Sequence, residues 1–274
     1  MSELLTTKRM SIVPTMCCTL KCKLCSNHMP EFKKPGSATY EEIIRDIDAV
    51  FALFDRIEWL QFVGGEIFLN PHMAEVFRYC TKYRDRFSKL IVETNATLPL
   101  REAEIEALAL YGENADVMIS DYGELSKNRD NNVAALEKAG VPYRLKKYYG
   151  EDQHFGGWID NTGLRDYGEP QELVEQLASG CAQVRLENMH LYRGKLHRCS
   201  NSLFMMELGV VDPNPRDYLD LYDETLTREE KRAVVRDFYT KARKSCRYCT
   251  WKSGDSAERH SAAEQMKERT HNGV

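Results

Sequence analysis

The sequence predicts an α/β fold: a partial (β/α) TIM-like barrel of five to six parallel strands, then a small α+β domain with a β-hairpin. Strand-like and helix-like segments alternate over residues 11–150, which favours parallel βα units with right-handed crossovers. After about residue 160 this alternation stops. The 274 residues are enough for such a core and an appendage, and we place the domains at 1–165 and 166–252, with a charged tail at 253–274.

Each predicted strand is a short apolar run that ends at glycine or polar residues. The carboxyl ends of parallel strands meet at one rim, where such folds place their chemistry. We therefore expect the residues that follow the strands to lie close together. The strands are predicted at 11–16, 57–63, 89–94, 115–120 and 141–149.

The predicted helices rest on capping signals and on apolar residues at helical spacing. Thr39 and Glu42 form a capping box before the first helix, and Asn70-Pro71 begins the second. The tail is weakly periodic, so we expect it to pack poorly. The remaining helices are predicted at 101–112, 131–140, 170–179 and 227–243, and the hairpin turns at Arg193-Gly194.

The overall charge and the cysteine count limit the classes of function. With 38 Lys+Arg against 42 Asp+Glu, the net charge is −4, which predicts no affinity for nucleic acid or anionic lipid. The N-terminus lacks the apolar run of a signal peptide, and no long apolar segment follows. We therefore expect a cytoplasmic protein without a membrane partner. In that reducing compartment, nine cysteines favour metal binding or redox chemistry over disulfides.

Three cysteines after the first predicted strand have the spacing Cys18-x3-Cys22-x2-Cys25. Zinc sites usually bring four protein ligands. Three thiolates suit an iron–sulfur cluster with one iron left open for another ligand. Cys17 does not fit this spacing.

These three cysteines, together with Gly64-Gly65-Glu66 after the second strand, resemble the radical S-adenosylmethionine (radical SAM) superfamily over about residues 11–160. The resemblance implies that Cys18, Cys22 and Cys25 hold a [4Fe-4S] cluster and that SAM binds its open iron. In that family, one electron cleaves SAM to a 5′-deoxyadenosyl radical, which abstracts a hydrogen atom from the substrate. It also implies an external one-electron donor of the flavodoxin or ferredoxin type.

The same resemblance implies a set of SAM contacts at the ends of the strands. Gly64 and Gly65 have no Cβ, so their backbone can approach the methionine part of SAM, and Glu66 could pair with its ammonium group. Short polar side chains at the next two strand ends are expected to contact its ribose or carboxylate. They are Thr94, Asn95, Ser120 and Asp121.

A second group of cysteines lies in the C-terminal third: Cys181, Cys199, Cys246 and Cys249. A zinc ribbon is one interpretation, because Cys-x2-Cys suits zinc. The hairpin with Gly194-x4-Cys199 resembles the shortened "twitch" auxiliary-cluster domain of some radical SAM enzymes. That resemblance implies a second [4Fe-4S] cluster with all four irons ligated, and hence a role in electron transfer.

Two residues are candidates for acid–base catalysis. His154 lies in a glycine-rich segment at the expected rim, where it could take a proton, or it could be a solvent-facing loop histidine. Glu93 precedes Thr94 and could face the substrate or form a buried ion pair.

The architecture resembles radical SAM dehydrogenases that oxidise a secondary alcohol on an aminocyclitol. We therefore expect an oxidoreductase that acts on a small polar substrate, such as a sugar, an aminocyclitol or a nucleotide-linked sugar. Three alternatives stay open: modification of a ribosomal peptide, epimerisation with Cys17 or Cys80 as hydrogen donor, and a zinc-binding interaction protein.

Overall fold

One sheet of eight strands runs through the computed structural model, which describes residues 3–249 and 258–266. Strands one to six are parallel, and the last two are antiparallel. The order is β5-β4-β3-β2-β1-β6-β7-β8, and the sheet is not closed into a barrel. The predicted α/β fold with five to six parallel strands is confirmed, and six are present. The strands are β1 (Thr6–Ile12), β2 (Arg56–Phe62), β3 (Phe87–Thr94), β4 (Ala115–Asp121), β5 (Tyr143–Lys147), β6 (Asn188–Tyr192), β7 (Lys195–His197) and β8 (Tyr218–Asp220).

Helices connect the strands, and the predicted capping box is present. The Thr39 hydroxyl accepts a hydrogen bond from the Glu42 N–H at 3.2 Å, and the Glu42 carboxylate accepts one from the Thr39 N–H at 2.8 Å. In the described part of the chain, no helix is long and apolar enough to cross a membrane. The helices are α1 (Tyr40–Leu53), α2 (Met73–Cys80), α3 (Glu102–Ala109), α4 (Arg129–Ala139), α5 (Gln171–Ser179), α6 (Ala182–Leu186), α7 (Ser200–Glu207) and α8 (Arg228–Asp237).

The first strand lies earlier in the chain than predicted. We expected residues 11–16, whereas β1 is Thr6–Ile12. Pro14 has no N–H to give to a ladder, so the apolar run around it cannot continue the strand. The true strand is hard to recognise because its first half includes exposed polar residues.

The predicted second domain adds its strands to the same sheet. In the hairpin, β6 pairs in parallel with β1, with Met10 opposite Met189. The buried Asp46 carboxylate on α1 accepts hydrogen bonds from the Gly194 N–H and the Tyr222 hydroxyl, both at 2.6 Å. The hairpin is thus held both by the sheet and by the first helix. Residues 250–252 of that predicted domain lie outside the described residues.

The expectation that the tail packs poorly is wrong for residues 258–266, which we call the C-terminal strap. The Lys23 N–H donates to the Glu264 carbonyl at 2.8 Å, and the Met266 N–H donates to the Lys21 carbonyl at 2.7 Å. The strap therefore pairs with the loop that carries the first cysteines. No local periodicity could reveal this pairing, because its partner lies more than 200 residues away. Residues 253–257 and 267–274 of the predicted tail lie outside the described residues.

Candidate active site

The loop between β1 and α1 directs three thiols into one cavity. Cys18, Cys22 and Cys25 line a space of ≈ 210 Å³ at the carboxyl ends of the parallel strands. The Cys17 thiol is not among its walls: it lies 3.6 Å from the Pro35 carbonyl and 3.9 Å from the Ser37 hydroxyl. The loop thus separates three of its four cysteines from the fourth.

The three thiols are poorly solvated, which raises the free energy of their ionised forms. Burial raises the pKa of Cys18 to about 11 and that of Cys22 to about 12, and it raises the pKa of Cys25. The charge of Cys25 adds to both of the first two shifts. Thiolates here would need a compensating cation, which iron provides, so the set fits an iron–sulfur cluster.

Polar N–H groups already point at two of these sulfurs. The Asn95 amide nitrogen lies 3.7 Å from the Cys18 sulfur, and the Gln265 amide nitrogen lies 3.3 Å from the Cys22 sulfur. Donors of this kind stabilise thiolates that bind metal. Among the described residues, no three His, Cys, Asp or Glu side chains are close enough to hold a single metal ion. Cluster thiolates each bind a different iron and so need not converge on one point.

Gly64 and Gly65 let the end of β2 lie against the backbone of the cysteine loop. A Cβ on Gly65 would lie 1.9 Å from the Cys17 carbonyl oxygen, and a Cβ on Gly64, whose φ is +144°, would lie 2.6 Å from the Thr15 carbonyl oxygen. We expected these glycines to make room for SAM. Both line the cavity, but the atoms that a side chain would strike belong to the protein itself.

Glu66 lies beneath the cavity and does not face it. Its fully buried carboxylate accepts hydrogen bonds from the Thr94 hydroxyl and the Asn95 N–H, both at 2.9 Å, and from the Phe68 N–H at 3.3 Å. Our expectation that it pairs with the SAM ammonium group is not what this geometry shows. The carboxylate instead joins the ends of β2 and β3, and burial raises its pKa to about 7.

Four polar residues at the ends of β3 and β4 were expected to contact SAM. Three of them line the cavity: Thr94, Asn95 and Ser120. Asp121 does not. Its carboxylate accepts hydrogen bonds from the Arg129 guanidinium at 2.9 Å and the Gly123 N–H at 3.0 Å. Asp121 thus anchors the loop after β4 to the start of α4, and its expected SAM contact stays a prediction.

The two catalytic candidates occupy different positions. Glu93 lines the cavity, where burial raises its pKa and Lys146 is the largest opposing charge. His154 is not among the cavity walls. Its ring packs edge-on against the Tyr148 ring, with centroids 5.5 Å apart, and burial lowers its pKa. The structure therefore brings Glu93, but not His154, to the cavity.

Three aromatic rings form one wall of the cavity, and two of them, Tyr122 and Tyr148, were not predicted there. Both line the cavity together with Trp158. The Tyr122 ring lies 5.4 Å from that of Tyr148 and 5.7 Å from that of Trp158, between centroids. Tyr122 and Tyr148 each directly follow a strand, so the rule that selected Ser120 could also have selected them.

The second group of cysteines gathers beside β6 and β7. Cys199 caps α7, and burial raises its pKa to about 12, with smaller contributions from the charges of Cys246 and Cys181. N–H groups also point at these sulfurs: Ser202 N–H at 3.4 Å from Cys199, and the Asn201 amide at 3.6 Å from Cys249. Cys80 lies apart, fully buried in the core.

Comparison with known proteins agrees with this geometry. Residues 12–121, which include Cys18, Cys22 and Cys25 and the first four strand ends, match the family model described as Radical SAM superfamily. This part of the chain is therefore similar to a radical SAM domain. No curated protein matches the chain.

Particular solved structures share the fold over most of their length. One is anSMEcpe with bound AdoMet and the Cp18Cys peptide, at 14% identity and a TM-score of 0.51, covering 89% of this chain and 86% of that one. Another is BtrN in complex with AdoMet and 2-DOIA, at 15% identity and a TM-score of 0.51, covering 90% and 85%. At this identity the likeness shows the fold alone.

We predict that Gly65→Ala prevents cluster assembly. The new methyl group would overlap the Cys17 carbonyl, so the cysteine loop must move. Its three thiols would then no longer point into the same cavity. Iron content after anaerobic reconstitution measures the loss. Gly180→Ala is the control, because Gly180 has a negative φ and its nearest atom to a Cβ is 3.8 Å away. A Gly65→Ala protein that binds wild-type amounts of iron would contradict this account.

We predict that Glu66 makes the metal-free protein less stable as the pH rises from about 4.5 to about 7. Its folded-state pKa, about 7, lies above the model-peptide value of 4.5. The folded state therefore holds this proton more tightly, and that advantage is lost across the interval. The change in unfolding free energy is on the order of 3 kcal/mol. Urea denaturation of the wild type and Glu66→Gln between pH 4.5 and 7.5 checks it. The difference between their unfolding free energies should vary with pH. For the control Glu102→Gln, at an exposed site, the unfolding free energy should vary with pH as it does in the wild type. The same pH dependence in Glu66→Gln as in the wild type would refute the prediction.

Proposed function

We propose that this protein is a radical SAM oxidoreductase that oxidises a C–H or CH–OH centre of a small polar substrate. A sugar, an aminocyclitol or a nucleotide-linked sugar are the substrate classes we favour. The observation that carries the proposal is that three thiols and one carboxyl group, Glu93, line the same cavity. A second group of four cysteines, gathered beside β6 and β7 of the same sheet, supports the redox assignment.

The residues for the cofactors follow from their positions. Cys18, Cys22 and Cys25 would hold the first [4Fe-4S] cluster, with Thr94, Asn95 and Ser120 facing SAM. The auxiliary cluster would be held by Cys181, Cys199, Cys246 and Cys249. When bound, SAM and the first cluster supply a radical that abstracts a hydrogen atom, and the second cluster supplies an acceptor for one electron.

Oxidation of an alcohol carbon also releases a proton, which a residue of the chain must accept. Removing one hydrogen atom, one proton and one electron converts CH–OH to C=O, so the balance requires one base. Glu93 suits this role because it lines the cavity and because burial raises its pKa towards neutrality. The wall of Tyr122, Tyr148 and Trp158 would exclude water and offer flat faces to a sugar ring.

The alternatives differ in what they require. The peptide-bound and 2-DOIA-bound structures share this fold, so peptide modification is separated from small-molecule oxidation only by experiment. Epimerisation would need a thiol at the cavity besides the three proposed cluster ligands, whereas Cys17 and Cys80 lie elsewhere. We further propose that an external flavodoxin- or ferredoxin-type donor reduces the first cluster in the cytoplasm.

We predict about eight iron atoms per chain in anaerobically prepared protein, because two cubanes hold four each. Cys199→Ala should lower the count to about four and keep reductive cleavage of SAM. Cys18→Ala should also lower the count but should abolish that cleavage. Bound zinc, or four iron atoms in the wild type, would remove the second cluster from the proposal.

We predict that Glu93→Gln separates hydrogen abstraction from product formation. The amide cannot accept the hydroxyl proton, so oxidised product should fall about 10²–10⁴-fold while SAM cleavage continues. The assay supplies candidate sugars, aminocyclitols and peptides deuterated at the reacting carbon and measures deuterium in 5′-deoxyadenosine. His154→Ala should have a smaller effect, and Cys17→Ala is the matched control with normal turnover. Deuterium transfer from a peptide alone would favour the alternative function.

A further inference from the structure

The C-terminal strap places a side-chain amide on one of the cluster thiols. The Gln265 amide nitrogen donates to the Cys22 sulfur at 3.3 Å and to the Ala263 carbonyl at 2.7 Å. Its amide oxygen accepts from the Lys21 N–H at 2.8 Å. That backbone donor fixes which end of the amide is oxygen, so the nitrogen must face the sulfur.

Two separate anchors hold the strap at the site. At one end, Lys21 and Lys23 pair with it through backbone hydrogen bonds, and the Lys23 ammonium group pairs with the Glu264 carboxylate. At the other end, the Trp158 N–H donates to the His260 carbonyl at 2.9 Å, and the His260 N–H donates back at 2.8 Å. Trp158 is part of the aromatic wall. The strap thus spans from the cysteine loop to the far side of the cavity.

Gly157 makes the second anchor possible. Its φ is +116°, and a Cβ there would lie 2.4 Å from the His260 carbonyl oxygen. The glycine-rich segment after β5 is therefore shaped to receive the strap. This gives a way to displace the strap without changing Gln265 or any cysteine.

We propose that Gln265 is a positioning residue whose N–H raises the reduction potential of the first cluster, and that the C-terminal strap is a structural part of the active site. The inference rests on the proposed function, because it needs a cluster on Cys22. Reduction adds one electron to the cluster, and an N–H group on a ligating sulfur stabilises the added negative charge. Without this hydrogen-bond donor, the cluster is harder to reduce. SAM cleavage then needs an electron donor that is a stronger reductant.

The test is a potentiometric titration followed by electron paramagnetic resonance on the full-length protein with both clusters. The first cluster is identified as the one whose signal changes when SAM is added. Gln265→Met keeps the length of the side chain but has no N–H. At the wild-type midpoint potential it should show an about tenfold lower ratio of reduced to oxidised cluster, which is about 59 mV for a one-electron couple. Gln265→Glu should titrate lower still, because it places a carboxylate beside the sulfur.

Two matched controls separate the amide from general damage to the strap. Glu258→Gln removes an exposed carboxylate elsewhere on the strap and should leave the potential unchanged, because solvent screens that charge. Gly157→Ala should displace the strap and lower the potential as Gln265→Met does. Gly140→Ala also replaces a glycine with positive φ, but in open surroundings away from the strap, and it should have no effect.

The outcomes distinguish the inference from the proposed function. A wild-type protein without a SAM-responsive cluster would overturn both. A SAM-responsive cluster whose potential is the same in wild type, Gln265→Met and Gly157→Ala would overturn the inference alone. Iron content and circular dichroism of each variant show that the compared proteins are folded and loaded. If Gln265→Met does not fold, Gly157→Ala decides the question.

Discussion

The contact between Gly65 and the carbonyl of Cys17 fixes where the three thiols stand. At this point two stretches of backbone touch, and no side chain larger than hydrogen fits between them. The Gly65 N–H donates to Thr15 at 3.1 Å, and the Glu66 N–H donates to Cys17 at 2.9 Å. The cysteine loop is thus bonded to the end of β2 by main-chain groups. Its orientation comes from the sheet, so much of the ligand geometry is set before any iron binds.

Buried carboxylates keep the rest of the rim in place. Glu66 holds the Thr94 hydroxyl and the Asn95 N–H, and Asp121 holds Arg129 at the start of α4. Both acids were expected to touch SAM, and both instead support residues that line the cavity or its adjoining loop. Burying a carboxylate is unfavourable unless hydrogen bonds compensate, and three donors do so at Glu66. The positions of Thr94 and Asn95 therefore depend on a group that never enters the cavity.

Features of the fold and the site that depend on short segments of the chain could be predicted from the sequence. The alternation of strands and helices predicted five parallel strands, and the strand-end rule found the cavity walls at Cys18, Thr94 and Ser120, because both depend on short segments. The sixth parallel strand, β6, was predicted only as part of the hairpin. The rule could not tell which way a strand-end side chain points, and Glu66 and Asp121 are not among the cavity walls. The strap could not be predicted at all: its partner residues lie about 240 positions away, and residues 258–266 carry no apolar repeat. For the same reason, the sequence could not show that Gly157 lies against His260.

The strands beside the two groups of cysteines belong to one continuous sheet. β6 is paired in parallel with β1, and the first cysteine loop follows β1 directly. Asn201, which donates to Cys249, also lies beside the imidazole of His28, three residues after Cys25. The spacing between the groups is therefore set by strand pairing and short side-chain contacts. A hinge or linker would let this spacing vary, whereas paired strands keep it constant.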